Sequence, residues 1–206
     1  MELDPGRAES HHLRGYILLV LNRTDEALQE QKKAMELDPF ARRWELASAL
    51  IRARRYEAAL NEARLRSEAY PSDADLHGFL CMAYWHLGRE KEAAQEFETY
   101  LRLLGDKASA LAAHQAFERG GTKAVFEWQL GVARKKATKS HVSPLDLARL
   151  NACLKRKDES LHYLEQAYQE REPWVVNIQN NPAFDFLHSE PRYQALVKGM
   201  GLPQAF

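Results

Sequence analysis

The pentapeptide Met-Glu-Leu-Asp-Pro occurs twice in this chain, at Met1–Pro5 and again, 34 residues later, at Met35–Pro39. A third proline, Pro71, follows at nearly the same spacing. Small residues recur with the same period, at Ala27, Ala59 and Ala93. Self-similarity with a period near 34 residues is typical of helical repeat arrays, in which each unit buries its apolar face against its neighbours.

Composition narrows the class of protein further. Lys and Arg together number 29, as do Asp and Glu, so the formal net charge is zero and a nucleic-acid-binding role is not expected. Val, Ile and Thr are few, which disfavours a large sheet. The longest apolar run, Tyr16 to Leu21, is too short to span a bilayer, and no signal peptide is recognisable. Two cysteines in helical patterns fit a reducing compartment, so we expect a cytoplasmic protein without membrane contact.

The repeat resembles the tetratricopeptide repeat (TPR) family, which has small residues at the eighth and twentieth positions of each repeat. The eighth position is filled by Gly15, Ala47, Cys81 and Ala148, and the twentieth by Ala27, Ala59, Ala93 and Ser160. Tyr84 matches the family's aromatic position and Gly88 its interhelical turn. The resemblance departs at Gly105, which replaces a proline, and over Lys107 to Lys139, a fourth repeat with few consensus residues.

This resemblance implies an all-α fold: a right-handed TPR-type superhelical solenoid of antiparallel helix pairs. We expect about five repeats over residues 1–171 and capping helices over 172–206, because the tail is too apolar to be solvated. The predicted pairs are 8–21 with 24–37, 40–54 with 56–70, 73–87 with 89–104, 107–119 with 122–138, and 143–156 with 158–171. Short helices are predicted in the tail at 174–179, 183–188 and 191–198.

A second resemblance concerns Val142 to Pro203. The pairs Ser143-Pro144, Pro173-Trp174 and Asn181-Pro182, with the final Met200–Pro203, resemble the end of bacterial signalling proteins that carry a Ser/Thr kinase or a winged-helix domain. Residues 1–5 also match the last turn of a second helix. We therefore expect a C-terminal piece of a longer bacterial signalling protein.

No catalytic or metal-binding constellation is expected from the sequence. His11 and His12 are adjacent, so on a helix they diverge by about 100° and chelate one metal poorly. Arg134, Lys135 and Lys136 are typical of a solvated helix end. No phosphate-binding or zinc motif is present in the sequence, so we expect no cofactor and no enzymatic activity.

The family resemblance implies instead a concave face built from the first helix of each repeat, which binds a peptide or a partner's helix. The residues expected there are His12, Tyr16, Leu19, Trp44, Ser48, Ile51, Arg52, Asp75, Met82 and Trp85. A chaperone-tail clamp is disfavoured, because His12 and Tyr16 stand where that subclass has Lys and Asn.

The expected function is therefore a protein–protein interaction scaffold. Three alternatives stay open at this point: the tryptophans pack within the repeats, the array senses a small ligand for a larger kinase or transcription regulator, or the chain is an enzyme. Self-association through the exposed first repeat is also expected, because residues 1–6 cap the first helix pair poorly.

Overall fold

The structure is a computed structural model that describes residue 4, residues 6–40 and residues 43–203. These residues form ten α-helices and two 3₁₀ segments, and no strand occurs among them, which confirms the all-α prediction. Within the same ranges no helix is both long enough and apolar enough to cross a membrane. The prediction that residues 1–5 end a helix lies outside the described residues, apart from Asp4.

The chain divides into two compact units, residues 1–115 and residues 116–206. We call them the N-terminal unit and the C-terminal unit and describe each by itself. The predicted division at residues 171 and 172 stays a prediction.

Three consecutive helix pairs make up most of the N-terminal unit. The helices are α1 (Ala8–Val20), α2 (Thr24–Leu37), α3 (Glu45–Arg52), α4 (Tyr56–Ala69), α5 (Ala74–His86) and α6 (Glu90–Leu103). Each helix packs against the next along the chain, as expected for a TPR-type solenoid. The predicted start of α3 at residue 40 is wrong. The Asp38 carboxylate accepts a hydrogen bond from the Phe40 backbone N–H (3.1 Å), a local turn that competes with helix formation.

Small residues allow the two helices of each pair to cross closely. Ala27, Ala47 and Ala59 are fully buried, and Gly15 lies where α1 meets α2. A Cβ atom on Gly15 would stand only 3.2 Å from the Ala27 carbonyl oxygen. The small residues that reveal the repeat in the sequence therefore lie where the two helices of a pair pack closely.

The turn inside each pair is built the same way in four repeats. The residues at this turn have left-handed backbone conformations: Asn22, Arg54, Gly88 and Lys155, with φ of 57°, 58°, 73° and 56°. The backbone N–H of the next residue then donates a hydrogen bond to a carbonyl oxygen in the last turn of the first helix. Arg23 donates to Leu18 in this way (2.8 Å), and Arg89 donates to Tyr84 (2.9 Å). This is a helix C-cap of the Schellman type, which satisfies carbonyls that the helix end leaves free.

The helix α7 (Lys107–Ala137) is broken at the glycine pair in its middle. Gly120 and Gly121 have non-helical backbone angles, and the φ of Gly121 is +64°, a region that favours glycine. This confirms the predicted interruption between helical segments at 107–119 and 122–138.

The rest of the C-terminal unit contains α8 (Pro144–Cys153), α9 (Lys157–Gln169), two 3₁₀ segments (Pro173–Asn180 and Pro182–Leu187) and α10 (Pro191–Gly199). The last three begin with a proline, which suits a first helical position because its missing N–H would be unpaired there. Their apolar side chains share one core with α8 and α9; Phe184, Leu187 and Tyr193 are fully buried in it. The tail thus shares its core with this helix pair, and its role as a cap of the repeat array stays a prediction.

Trp174 is an exception to the expectation of a buried tail, since the residue is 62% exposed. A 3₁₀ helix has about three residues per turn, so Val175 and Ile178 lie in one row, and both are buried. Trp174 precedes that row by one residue and stays at the surface.

Candidate protein-interaction surface

The structure divides the ten predicted surface residues into three groups. Leu19 and Ile51 are only 4% and 1% exposed and belong to the core of the N-terminal unit, so they offer no side-chain surface to a partner. Asp75 and Met82 are exposed. The half-buried group is His12, Tyr16, Trp44, Ser48, Arg52 and Trp85.

Arg52 is the cation of this set and lies mostly below the surface. Burial lowers the pKa of its guanidinium, the Arg54 charge acts in the same direction, and the nearby Tyr16 side chain opposes both. Arg54 in turn donates a hydrogen bond to the Arg52 carbonyl oxygen. The first helices of repeats 1 and 2 therefore bring a phenol and a guanidinium close together.

Both tryptophans predicted to bind a partner contact aromatic rings of the N-terminal unit. Trp44 stacks on Phe79, with ring centroids 5.4 Å apart and planes 13° apart. Trp85 packs against His86 (4.6 Å), and His86 stacks on Tyr56 (4.5 Å). Both tryptophans therefore pack against aromatic side chains of the N-terminal unit, and both are half-buried.

His11 and His12 point to different carboxylates. The Nδ1 atom of His11 lies 2.6 Å from Glu30 on α2, whereas that of His12 lies 2.5 Å from Glu45 on α3. One histidine joins the two helices of a pair, and the other joins repeat 1 to repeat 2.

The His–Glu contact within a pair recurs in repeat 3, which the sequence analysis missed. The Nδ1 atom of His77 lies 2.6 Å from Glu96, and both residues stand 66 positions after His11 and Glu30. The recurrence over two repeat periods is the signal that could have revealed these contacts.

A cavity of about 350 Å³ lies near the His12–Glu45 contact. The start of α1, the end of α2 and the start of α3 surround it, and its polar lining includes Gln31 and Arg43 as well as this pair. This cavity is a candidate site for a small ligand in the N-terminal unit.

The C-terminal unit brings three potential metal ligands together. One donor atom each of His141, Glu170 and Glu172 lies within 4.8 Å of the others. No sequence motif predicts this group. Both carboxylates already accept hydrogen bonds, Glu172 from the Ser143 hydroxyl and Glu170 from the Gln166 amide, each at 2.8 Å. These bonds show that the two carboxylates stabilise the ends of α8 and α9.

Cys153 is expected to be unreactive in the folded chain. Burial raises the pKa of its thiol to about 11, and only the thiolate attacks alkylating reagents. At pH 8 we expect alkylation by iodoacetamide to be about two orders of magnitude slower than in the unfolded chain, where the thiol has a pKa near ~8.5. Peptide mapping by mass spectrometry after timed alkylation, with and without denaturant, measures both rates. Equal rates would contradict the raised pKa of the thiol.

The architecture is that of a helical repeat protein, and the comparison with known families agrees. A tetratricopeptide repeat matches residues 8–40, which cover α1, α2 and the bend after them. No curated protein matches the chain in sequence. Tetratricopeptide repeats generally mediate protein–protein interactions, and their fold is typically non-catalytic.

Proposed function

We propose that the N-terminal unit is a protein-recognition module that binds a peptide or a helix of a partner on the first helices of its repeats. The supporting observation is the contrast between adjacent positions of these helices. The eighth positions, Gly15 and Ala47, are buried against the second helices, whereas the ninth positions, Tyr16, Ser48 and Met82, retain exposed surface. Each first helix therefore has one face for the fold and one for a partner.

The proposed recognition face combines apolar, aromatic and cationic side chains. Met82 adapts to irregular apolar surfaces, and Tyr16 and Trp85 add aromatic edges. Arg52 supplies a partly desolvated cation near the Tyr16 phenol. Because the chain has no net charge, we attribute affinity to these few side chains rather than to long-range attraction.

A substitution at Met82 tests the proposal. Met82→Glu places a charge on the proposed face without disturbing the core, since Met82 is exposed. We expect recovery of the main partner from extracts of the source cell to fall about tenfold or more, because the partner would bury an unpaired carboxylate. Quantitative affinity purification against the unaltered chain measures this.

The matched control is Leu65→Glu, the same kind of change at an exposed position of the second helix α4. It should recover the partner as well as the unaltered chain does, and circular dichroism should show both variants folded. Full recovery by Met82→Glu, or equal losses in both variants, would refute this face as the recognition surface.

Ligand sensing is the second candidate, and the cavity beside His12 and Glu45 is the observation that favours it. In that case a small molecule from the cell would raise the melting temperature of the chain, and His12→Ala would remove the effect. Attachment to a kinase or transcription regulator, a bacterial source and a cytoplasmic location remain predictions.

A further inference from the structure

An imidazole and two carboxylates meet where the chain enters α8 and leaves α9. His141 lies two residues before Ser143, the N-cap of α8. Glu170 and Glu172 flank Arg171, whose left-handed backbone (φ 55°) follows the end of α9. The donor atoms of the histidine and the two glutamates lie within 4.8 Å of one another. Ligands of one zinc ion lie about 3–4 Å apart, because each bond is about 2.0–2.2 Å long. A small movement of these side chains therefore places all three donors on a common ion.

The two carboxylates have no cationic partner among the residues that the structure describes. Within those residues neither Glu170 nor Glu172 forms an ion pair, and the His141 ring forms no hydrogen bond. Two neighbouring carboxylates repel each other unless a positive charge stands between them. A divalent cation would bring the charge of this group to zero, since an imidazole is neutral when it binds a metal.

Hydrogen bonds already orient both carboxylates and leave them free to bind an ion. The Ser143 hydroxyl and the Leu145 backbone N–H donate to the two oxygens of Glu172, at 2.8 and 3.4 Å. The Gln166 amide donates to Oε1 of Glu170 at 2.8 Å. An ionised carboxylate has about four lone-pair sites, so each glutamate retains sites for a metal. Hydrogen bonds of this kind hold the ligands of protein metal sites in position.

We propose that His141, Glu170 and Glu172 bind one Zn²⁺ ion, which links the start of α8 to the end of α9. The nitrogen ligand selects the class of ion, because imidazole suits zinc and other first-row transition metals, whereas Mg²⁺ and Ca²⁺ prefer oxygen ligands. Three protein ligands leave the fourth position of a zinc site to water. The site belongs to the C-terminal unit and goes beyond the recognition function proposed for the N-terminal unit.

Hydrogen exchange of the full chain, with and without Zn²⁺, tests this site. At a free Zn²⁺ concentration of about ten times the dissociation constant found by calorimetry, amide exchange at the start of α8 and the end of α9 should slow about tenfold, because the ion stabilises the bound form. The same concentration of Mg²⁺ should give no such protection. His141→Ala should remove the protection and weaken zinc binding about tenfold or more.

Two further variants identify the ligands. His162→Ala is the matched control, because His162 is also an exposed histidine of this unit, and it should bind zinc as the unaltered chain does. Glu170→Gln keeps an acceptor for the Gln166 amide but removes the charge, and it should weaken zinc binding as His141→Ala does. Zinc that protects neither helix end, protection that survives His141→Ala, or equal losses in His141→Ala and His162→Ala would overturn the proposal. Equal protection by Mg²⁺, or unchanged affinity in Glu170→Gln, would overturn this set of three ligands.

Discussion

Replacing Gly15 with leucine is expected to lower the free energy of unfolding of the N-terminal unit by about 3 kcal/mol or more. A Cβ atom at this position would lie 2.9 Å from Gln31 Nε2 and 3.2 Å from the Ala27 carbonyl oxygen. The Gln31 side chain can move, but the backbone of α2 cannot retreat without separating the first helix pair. Leucine adds three further carbon atoms to this contact.

Gly131→Leu is the control for this substitution. Gly131 lies in α7, and a Cβ atom there would have no neighbour within 4 Å. Leucine favours the helix over glycine, so the control should raise the stability of its own unit by up to about 1 kcal/mol. Denaturant titrations followed by circular dichroism give the magnitudes, and hydrogen exchange assigns them to α1 and α2 or to α7. Similar effects from both substitutions would mean that the helices of the first pair do not cross closely at Gly15.

The helix pairs could be predicted because close packing of two helices requires small residues at regular positions in the sequence. Where two helices cross, only a small side chain fits, so Gly15, Ala27, Ala47 and Ala59 recur in register. The turns inside the four helix pairs carry a second sequence signal that was not used in the prediction. An arginine directly follows the left-handed residue of each of these turns, as at Arg23 and Arg89.

The surface residues were harder to predict, because position twelve of the first helix, which the family resemblance assigns to the concave face, lies on the core side in two repeats. It follows position eight by four residues, so Leu19 shares a face with Gly15, and Ile51 shares one with Ala47. Both aliphatic side chains are consequently buried. In repeat 3 the same position holds Trp85, whose larger side chain is only half-buried.

The contact between His12 and Glu45 could not be predicted from periodicity. His12 and Glu45 lie 33 residues apart and meet only because repeat 1 stacks on repeat 2. A pattern of spacing predicts which side of a helix faces inward, but not which charged side chain stands opposite. For this reason the sequence predicted the helical array, whereas the contact between repeats 1 and 2 required the structure.

Phe184→Ala is expected to destabilise the C-terminal unit by about 3–5 kcal/mol, a large part of the stability of an ordinary domain. Phe184 is fully buried in the core that the tail shares with α8 and α9, so its loss leaves a cavity among Leu187, Tyr193 and Val197. Denaturant titration of the full chain measures the loss.

Trp174→Ala, which removes a larger but mostly exposed ring from the same tail, should cost less than about 1 kcal/mol. Comparing the stability losses of the two variants separates the effect of burial from that of side-chain size. If residues 172–206 cap the helix pair, Phe184→Ala must also speed hydrogen exchange in α8 and α9. Faster exchange confined to the tail would show that the tail folds on the pair without supporting it.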